Sequence, residues 1–161
     1  MPAKRLKEFL DSHKVKYVTV AHSTAYTAQE IASLAQIRGN EFAKAVIVRI
    51  DGVMVMAVLP ASYHVDLPLL KAAAKGKKIA LASEADFRDR FLECEIGAMP
   101  PFGQLYGMPV FVDESLTIDK EIAFNAGTHH ELIRLSYEDF ARLAQPEVAK
   151  FSTAVDAALR L

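Results

Sequence analysis

The chain has one cysteine, no tryptophan and no charge imbalance: its 161 residues carry 19 basic and 20 acidic side chains, a net charge of -1. A single thiol cannot form an intrachain disulfide. With no export signal it fits a reducing cytosol, so a cytoplasmic protein is expected. Met1-Pro2-Ala3-Lys4-Arg5-Leu6-Lys7-Glu8 puts no apolar stretch behind its basic residues, so no signal peptide is expected. The longest apolar run, Val53 to Leu59, is strand-sized and too short to span a membrane, and no membrane partner is expected. Balanced charge argues against strong non-specific nucleic-acid binding, while leaving room for a local basic patch. The sequence lacks a P-loop, a G-x-G-x-x-G and a G-x-S-x-G elbow, which removes the usual acyl-transfer machinery. His13, His22, His64, His129 and His130 stand at no zinc-type spacing from a cysteine or carboxylate, so neither metal nor cofactor is expected. Cys94 lies between Glu93 and Glu95, whose charges disfavour a thiolate, and is a poor nucleophile.

What is present centres on Gly97-Ala98-Met99-Pro100-Pro101-Phe102-Gly103, an uncharged stretch with two glycines and two consecutive prolines. The prolines fix φ and remove two donors, so this is a loop and not a helix interior or central strand. Loops are normally polar. A rigid apolar one suits either a wall against a small ligand, with backbone amides aimed at it, or a buried, well-packed turn.

Helical spacing is expected over Arg5 to His13 and Leu67 to Ala74, and after the caps Thr27-Ala28-Gln29-Glu30, Ser83-Glu84-Ala85-Asp86 and Ser136-Tyr137-Glu138-Asp139. Strands are expected over Val15 to Ala21, Lys78 to Leu81, Met108 to Val112, Glu121 to Asn125 and Leu132 to Leu135. Asp51-Gly52 joins Ala45 to Ile50 with Val53 to Leu59 as a hairpin, apolar enough to be buried on both faces. Val148, Phe151, Val155 and Leu159 have helical spacing and predict a C-terminal helix docked on its own core. The whole reads as one mixed α/β (α+β) domain over residues 1–161, with a curved, partly antiparallel sheet flanked by helices.

Among polar residues, Lys44 is the most informative. In Phe42-Ala43-Lys44-Ala45-Val46-Ile47 it stands at the mouth of a buried hairpin, where a lysine is costly. Its ammonium can offer three donors to a carbonyl, carboxylate or phosphate, or it is a lysine snorkelling from the strand end. Asn125-Ala126-Gly127-Thr128-His129-His130-Glu131 forms a tight polar connection between two strands, and His22 follows the first strand. Such loops carry functional side chains, though a plain hairpin needs the same residues.

Taken in order, His22 with Thr27-Ala28-Gln29-Glu30, Ala43-Lys44-Ala45-Val46, Ala57-Val58-Leu59-Pro60-Ala61, the Gly97 loop with Pro109-Val110-Phe111-Val112-Asp113, and Phe124-Asn125-Ala126-Gly127-Thr128-His129 resemble the YbaK/prolyl-tRNA synthetase-associated domain family. The resemblance runs from about Arg5 to Leu143. It implies a mixed α/β fold and an aminoacyl-tRNA deacylase, acting in trans without metal or cofactor on mischarged tRNA, typically proline tRNA carrying alanine or cysteine. It matches Lys44 to the family's functional lysine and Gly97 with Pro101 to its G-x-x-x-P motif. His129 or His130 falls where related domains have a pocket-shaping histidine, and His22 where a pocket residue is often found. Met99-Pro100-Pro101-Phe102-Gly103 departs from the Ser-Pro-Leu-Gly-like loop of relatives active on cysteinyl-tRNA, so the implied amino acid is small but not fixed.

The implied chemistry is coherent. Loop amides would hold the developing oxyanion, a water would attack, and Lys44 would orient the terminal phosphate or carbonyl. Pro100, Pro101, Met99, Phe102 and Gly103 would form a rigid wall that excludes large side chains. Asn125, Gly127 and Thr128 would complete the substrate-binding set. Partners would be mischarged tRNA and an aminoacyl-tRNA synthetase, with no oligomeric state implied. Two segments are candidates for tRNA contact: Lys71, Lys75, Lys77 and Lys78, and the N-terminal Lys4, Arg5, Lys7, Lys14 and Lys16. The second functional reading is a non-catalytic adaptor of the same fold that binds an aminoacyl or nucleotide ligand or a synthetase.

Overall fold

A computed structural model describes residues 4–21, 42–95 and 97–154. His22 and the Thr27 capping box lie outside the described residues. The fold is built on the expected hairpin: β2 (Ala43–Ile50) and β3 (Val53–Pro60) pair antiparallel from Ala43↔Pro60 to Ile50↔Val53. Asp51 and Gly52 both take positive φ, 49° and 84°, the requirement of the tight turn whose twist matches the strands.

Side chains alternate across a strand. Ala43, Ile47, Met56 and Val58 therefore enter one core, while Val48, Ile50, Val55, Ala57 and Leu59 enter a second on the opposite face. This is why both arms are apolar on nearly every residue. β5 (Ile79–Leu81) extends the sheet beside β2, and β6 (Val110–Asp113) and β9 (Glu147–Ala149) extend it parallel beyond β3, giving the order β5-β2-β3-β6-β9. A second, antiparallel sheet has the order β1-β8-β7, from β1 (Tyr17–Ala21), β7 (Glu121–Asn125) and β8 (Glu131–Ser136). β4 (Tyr63–Val65) pairs with β10 (Ser152–Ala154).

The helices close the faces. α1 (Lys4–Ser12) buries Leu6 and Leu10 in the first core. α2 (Leu67–Ala74) buries Leu70 in the second; the Asp66 carboxylate accepts from the Leu69 amide to cap it. α3 (Glu84–Phe87) starts on the expected Ser83 capping box, and α4 (Tyr137–Ala144) on Ser136.

The C-terminal helix is a correction. Where Val148 and Phe151 suggested helical spacing, the chain forms β9 and β10, bent at Phe151. The buried Asp113 carboxylate accepts from the Phe151 amide at 2.9 Å, and the Phe151 ring fills the second core. Val148 stays exposed on the edge strand. Edge pairing to β6 and one buried anchor outcompete a helical pattern that had little more than two turns to act on. Val155 and Leu159 lie outside the described residues.

Candidate active site

The site forms where the two sheets meet. Phe42 makes an isolated parallel bridge to Ala123 of β7, and the two side chains share a small apolar cluster with Leu132. The bridge is parallel, and Lys44 and Asn125 each follow it by two residues on chains running in the same direction. Lys44 thus stands between the Phe42 cluster and the second core, whose members Val46 and Leu59 are its strand and cross-strand neighbours. It is half-buried, and this burial lowers the pKa of its ammonium from the ordinary lysine value. Among the described residues its ammonium has no hydrogen-bond or ion-pair partner.

β7 leads from Asn125 into the turn Ala126 to His130, and this turn is laced to the glycine loop. The Glu95 amide donates to the Gly127 carbonyl at 2.7 Å, and the Gly127 amide donates to the Ala98 carbonyl at 2.9 Å. The Ala98 amide donates to the Glu95 carbonyl at 3.1 Å, closing a tight turn. The Glu95 carboxylate in addition accepts from the His129 amide at 2.5 Å. Gly97 and Gly127 hold φ of 82° and 94°, a region other residues reach only at a cost.

The two adjacent histidines differ in placement. The His129 ring lies against Gly97, while the His130 amide donates to Thr128 Oγ1 at 3.2 Å. Asn125 and Thr128 are half-buried, and Gly97 and His129 are exposed. The lacing brings Gly97 together with Gly127 and His129, and the Phe42–Ala123 bridge sets the start of β2, which carries Lys44, beside β7, which leads through Asn125 into that turn.

The rest of the apolar loop faces the other way. Ala98 to Gly103 are buried, and Phe102 is fully enclosed. Its ring packs against Phe9, Phe124 and Phe140 with centroids 5.8, 5.7 and 5.5 Å away. Met99 enters the same core. Gly103 serves close packing: a Cβ there would stand 2.6 Å from the Met108 carbonyl oxygen. Pro100, Pro101, Met99, Phe102 and Gly103 so form a foundation, and the expected wall of exposed Met99 and Phe102 side chains is not what the structure shows. An uncharged apolar run gains more from burial than from facing a wet pocket. Only Gly97 of this loop reaches the surface.

Glu95 was missed by the sequence reading. A carboxylate next to a cysteine looks like one more surface charge, and its role depends on a turn 34 residues away. Among the described residues no group of three His, Cys, Asp or Glu side chains could hold a metal, and no helix is long and apolar enough to cross a membrane. Burial pushes the Cys94 thiol up, and its Sγ lies 3.5 Å from the Tyr106 hydroxyl.

The glycine loop and the histidine turn thus meet within a mixed α/β domain, and comparison with known proteins places that domain in the class of aminoacyl-tRNA editing domains. The chain belongs to the aminoacyl-tRNA editing domain family, whose model matches residues 22–143. It is 29% identical over 153 residues to the multifunctional Ser/Thr-tRNA deacylase ProXp-y of two strains of Escherichia coli, covering 91% of this chain and 90% of the relative. Its fold matches the crystal structure of a proposed trans-editing enzyme for prolyl tRNA synthetase, with a TM-score of 0.81 and 20% identity, over 95% of this chain and 98% of that one.

Proposed function

We propose that this chain is a free-standing, cytoplasmic aminoacyl-tRNA deacylase that hydrolyses the ester of mischarged tRNA in trans. The observation that carries the reading is a half-buried Lys44 with no partner among the described residues, on a strand bridged to the one that leads into the His129 turn, where the His129 ring lies against the exposed Gly97. An ammonium desolvated without a counter-charge gains from an anionic or carbonyl ligand, which the terminal phosphate or the ester supplies.

An aminoacyl ester is already activated, so no side-chain nucleophile is required. A water oxygen attacks the carbonyl carbon, the carbonyl oxygen gains charge, and the carbon–oxygen bond to the ribose breaks as that oxygen takes a proton. Among the described residues the amides of Gly97 and Met99 make no hydrogen bond, whereas those of Ala98 and Gly127 are used within the lacing. The Gly97 amide, at the exposed end of the loop, with the Met99 amide two residues further in, is the proposed oxyanion donor set. Lys44 fixes the substrate, and Asn125, Thr128 and His129 border the amino acid. His22 joins them on the resemblance alone. Pro101 and Pro100 contribute by holding the loop stiff from beneath.

The amino acid is small. The resemblance points to proline tRNA carrying alanine or cysteine, and the Escherichia coli relatives are named for serine and threonine; small side chains are common to both. The test is to incubate purified chain with seryl-, threonyl-, alanyl- and leucyl-tRNA and follow release of the amino acid. Faster hydrolysis of the small esters is expected. Binding of charged tRNA with no change in any hydrolysis rate would instead support the adaptor reading.

A further inference from the structure

We propose that the groove beside the Asp51–Gly52 hairpin turn binds the phosphodiester backbone of the tRNA, several nucleotides from its aminoacyl end; this rests on the deacylase reading above. The groove has a volume of 540 Å³ and is lined by Arg49, Lys71 and Lys78, with the hairpin turn at one end. Lys75 and Lys77 stand on the segment that leads from α2 to β5. Among the described residues none of these four lysines is in an ion pair, and Arg49 is shared with Asp86 at 3.4 Å.

The acidic group in the groove does not cancel them. The Asp51 carboxylate accepts from the Lys77 amide at 3.0 and 3.1 Å and from the Lys78 amide at 2.8 Å. It is engaged by backbone, and it fixes the segment that carries the lysines. The C-terminus of α2, capped at Lys75 in the left-handed region, favours a nearby cation. One cation would satisfy it, and four are present.

The N-terminal basic segment is built differently. Arg5 faces Glu93 at 3.7 Å and lies over the Tyr106 ring, and Lys7 pairs with Glu131 at 3.0 Å. Those cations hold α1 to the body of the domain. Lys4, Lys14 and Lys16 of that segment, like the groove lysines, are in no ion pair among the described residues; what distinguishes the groove is that Lys71, Lys78 and Arg49 line one concave volume.

Its position also fits. α2 packs on the face of β2 from which Lys44 projects, since Leu70 shares a core with Val46 and Val48. Arg49 projects to the opposite face of β2 from Lys44 and borders the groove from the sheet's hairpin end, five residues along the strand from Lys44, about 17 Å at the rise of a strand. A stacked strand advances about 3.4 Å per nucleotide, so an RNA whose ester lies at Lys44 reaches the groove after about five nucleotides.

The test compares wild type with Lys71→Glu/Lys78→Glu and Lys71→Arg/Lys78→Arg on two substrates, a full mischarged tRNA and the same amino acid esterified to adenosine. The Glu variant should lose about tenfold in kcat/KM on full tRNA, through KM, and its salt slope should flatten by about 1.4 for two lost contacts. The Arg variant should stay near wild type, and all three proteins should cleave the adenosine ester alike. Equal kcat/KM and equal salt slope on full tRNA for the Glu variant would overturn the groove, even with deacylation intact. Equal losses on both substrates would also overturn it, as a folding or active-site effect. If wild type cleaves nothing, anisotropy with uncharged tRNA still decides: the groove requires salt-dependent binding that the Glu variant loses.

Discussion

The ring of His129 lies across Gly97: a methyl group built on Gly97 would stand 3.5 Å from Cε1 and 3.7 Å from Nε2 of His129. These are ordinary contacts, so the space admits a side chain. The backbone does not welcome one, because φ at Gly97 is 82°. Gly97→Ala should cost about 1–2 kcal/mol, lowering the melting temperature by about 2–8 °C for a domain of this size. It should also lower kcat on every substrate alike, by turning the loop amides. Thermal denaturation beside kcat on two esters checks this. Wild-type kcat with the stability loss would remove these amides from the chemistry.

Glu95 ties the loop to the histidine turn through the His129 amide. Glu95→Ala should reduce turnover several-fold while costing about 1 kcal/mol of stability, the net value of one hydrogen bond. Glu95→Gln keeps a carbonyl acceptor and should restore most of the turnover. Parallel kcat and chemical denaturation on both variants separate the cases. A Gln variant as impaired as Ala would show that the charge matters and the clasp does not.

Phe102 is enclosed by Phe9, Phe124 and Phe140. Phe102→Ala should therefore cost about 3–5 kcal/mol by opening a cavity in the core. It should not selectively admit larger amino acids. Denaturant midpoints and the ratio of alanyl to leucyl rates test both halves; a relaxed ratio at unchanged stability would return Phe102 to the pocket.

The division between what was legible and what was not follows from range. Asp51-Gly52, Ser83 and Ser136 act within a few residues, and the hairpin and both caps are found where their chemistry put them. Lys44 stood out because a charge in an apolar strand is locally anomalous, and its depressed pKa reflects the same burial. The Gly97 loop was read as a boundary between a wall and a packed turn; it is a packed turn from Ala98 to Gly103 with one exposed end. That choice depends on Phe124 and Phe140, distant in sequence. Which histidine meets Gly97 depends on Glu95, and Phe151 reads as helical until Asp113 is placed beside its amide. Each of these is a long-range partner, and no local pattern announces it.

Lys44 supplies a pH test. Burial favours its neutral form, so the ammonium is lost below the pH at which an exposed lysine titrates, about 10.4. Only the protonated form can hold a phosphate or carbonyl as proposed. Corrected for spontaneous ester hydrolysis, kcat/KM should fall on the alkaline side beginning below that range. A bound anionic group stabilises the ammonium, so the kcat limb should lie at higher pH than the kcat/KM limb. An alkaline limb that persists unchanged in Lys44→Ala would belong to another group.

The central claim is that Lys44 serves the ester and not the fold. Lys44 is half-buried without a partner among the described residues, so truncation removes no internal contact of consequence. The most direct measurement is single-turnover deacylation of seryl-, threonyl- and alanyl-tRNA by wild type and Lys44→Ala, with circular dichroism and melting temperature recorded on the same samples. Hydrolysis by Lys44→Ala should fall to near the uncatalysed rate on every ester, at an unchanged spectrum and a melting temperature within a few degrees of wild type. Wild-type turnover by the Lys44→Ala protein, or unfolding in place of inactivity, would contradict it.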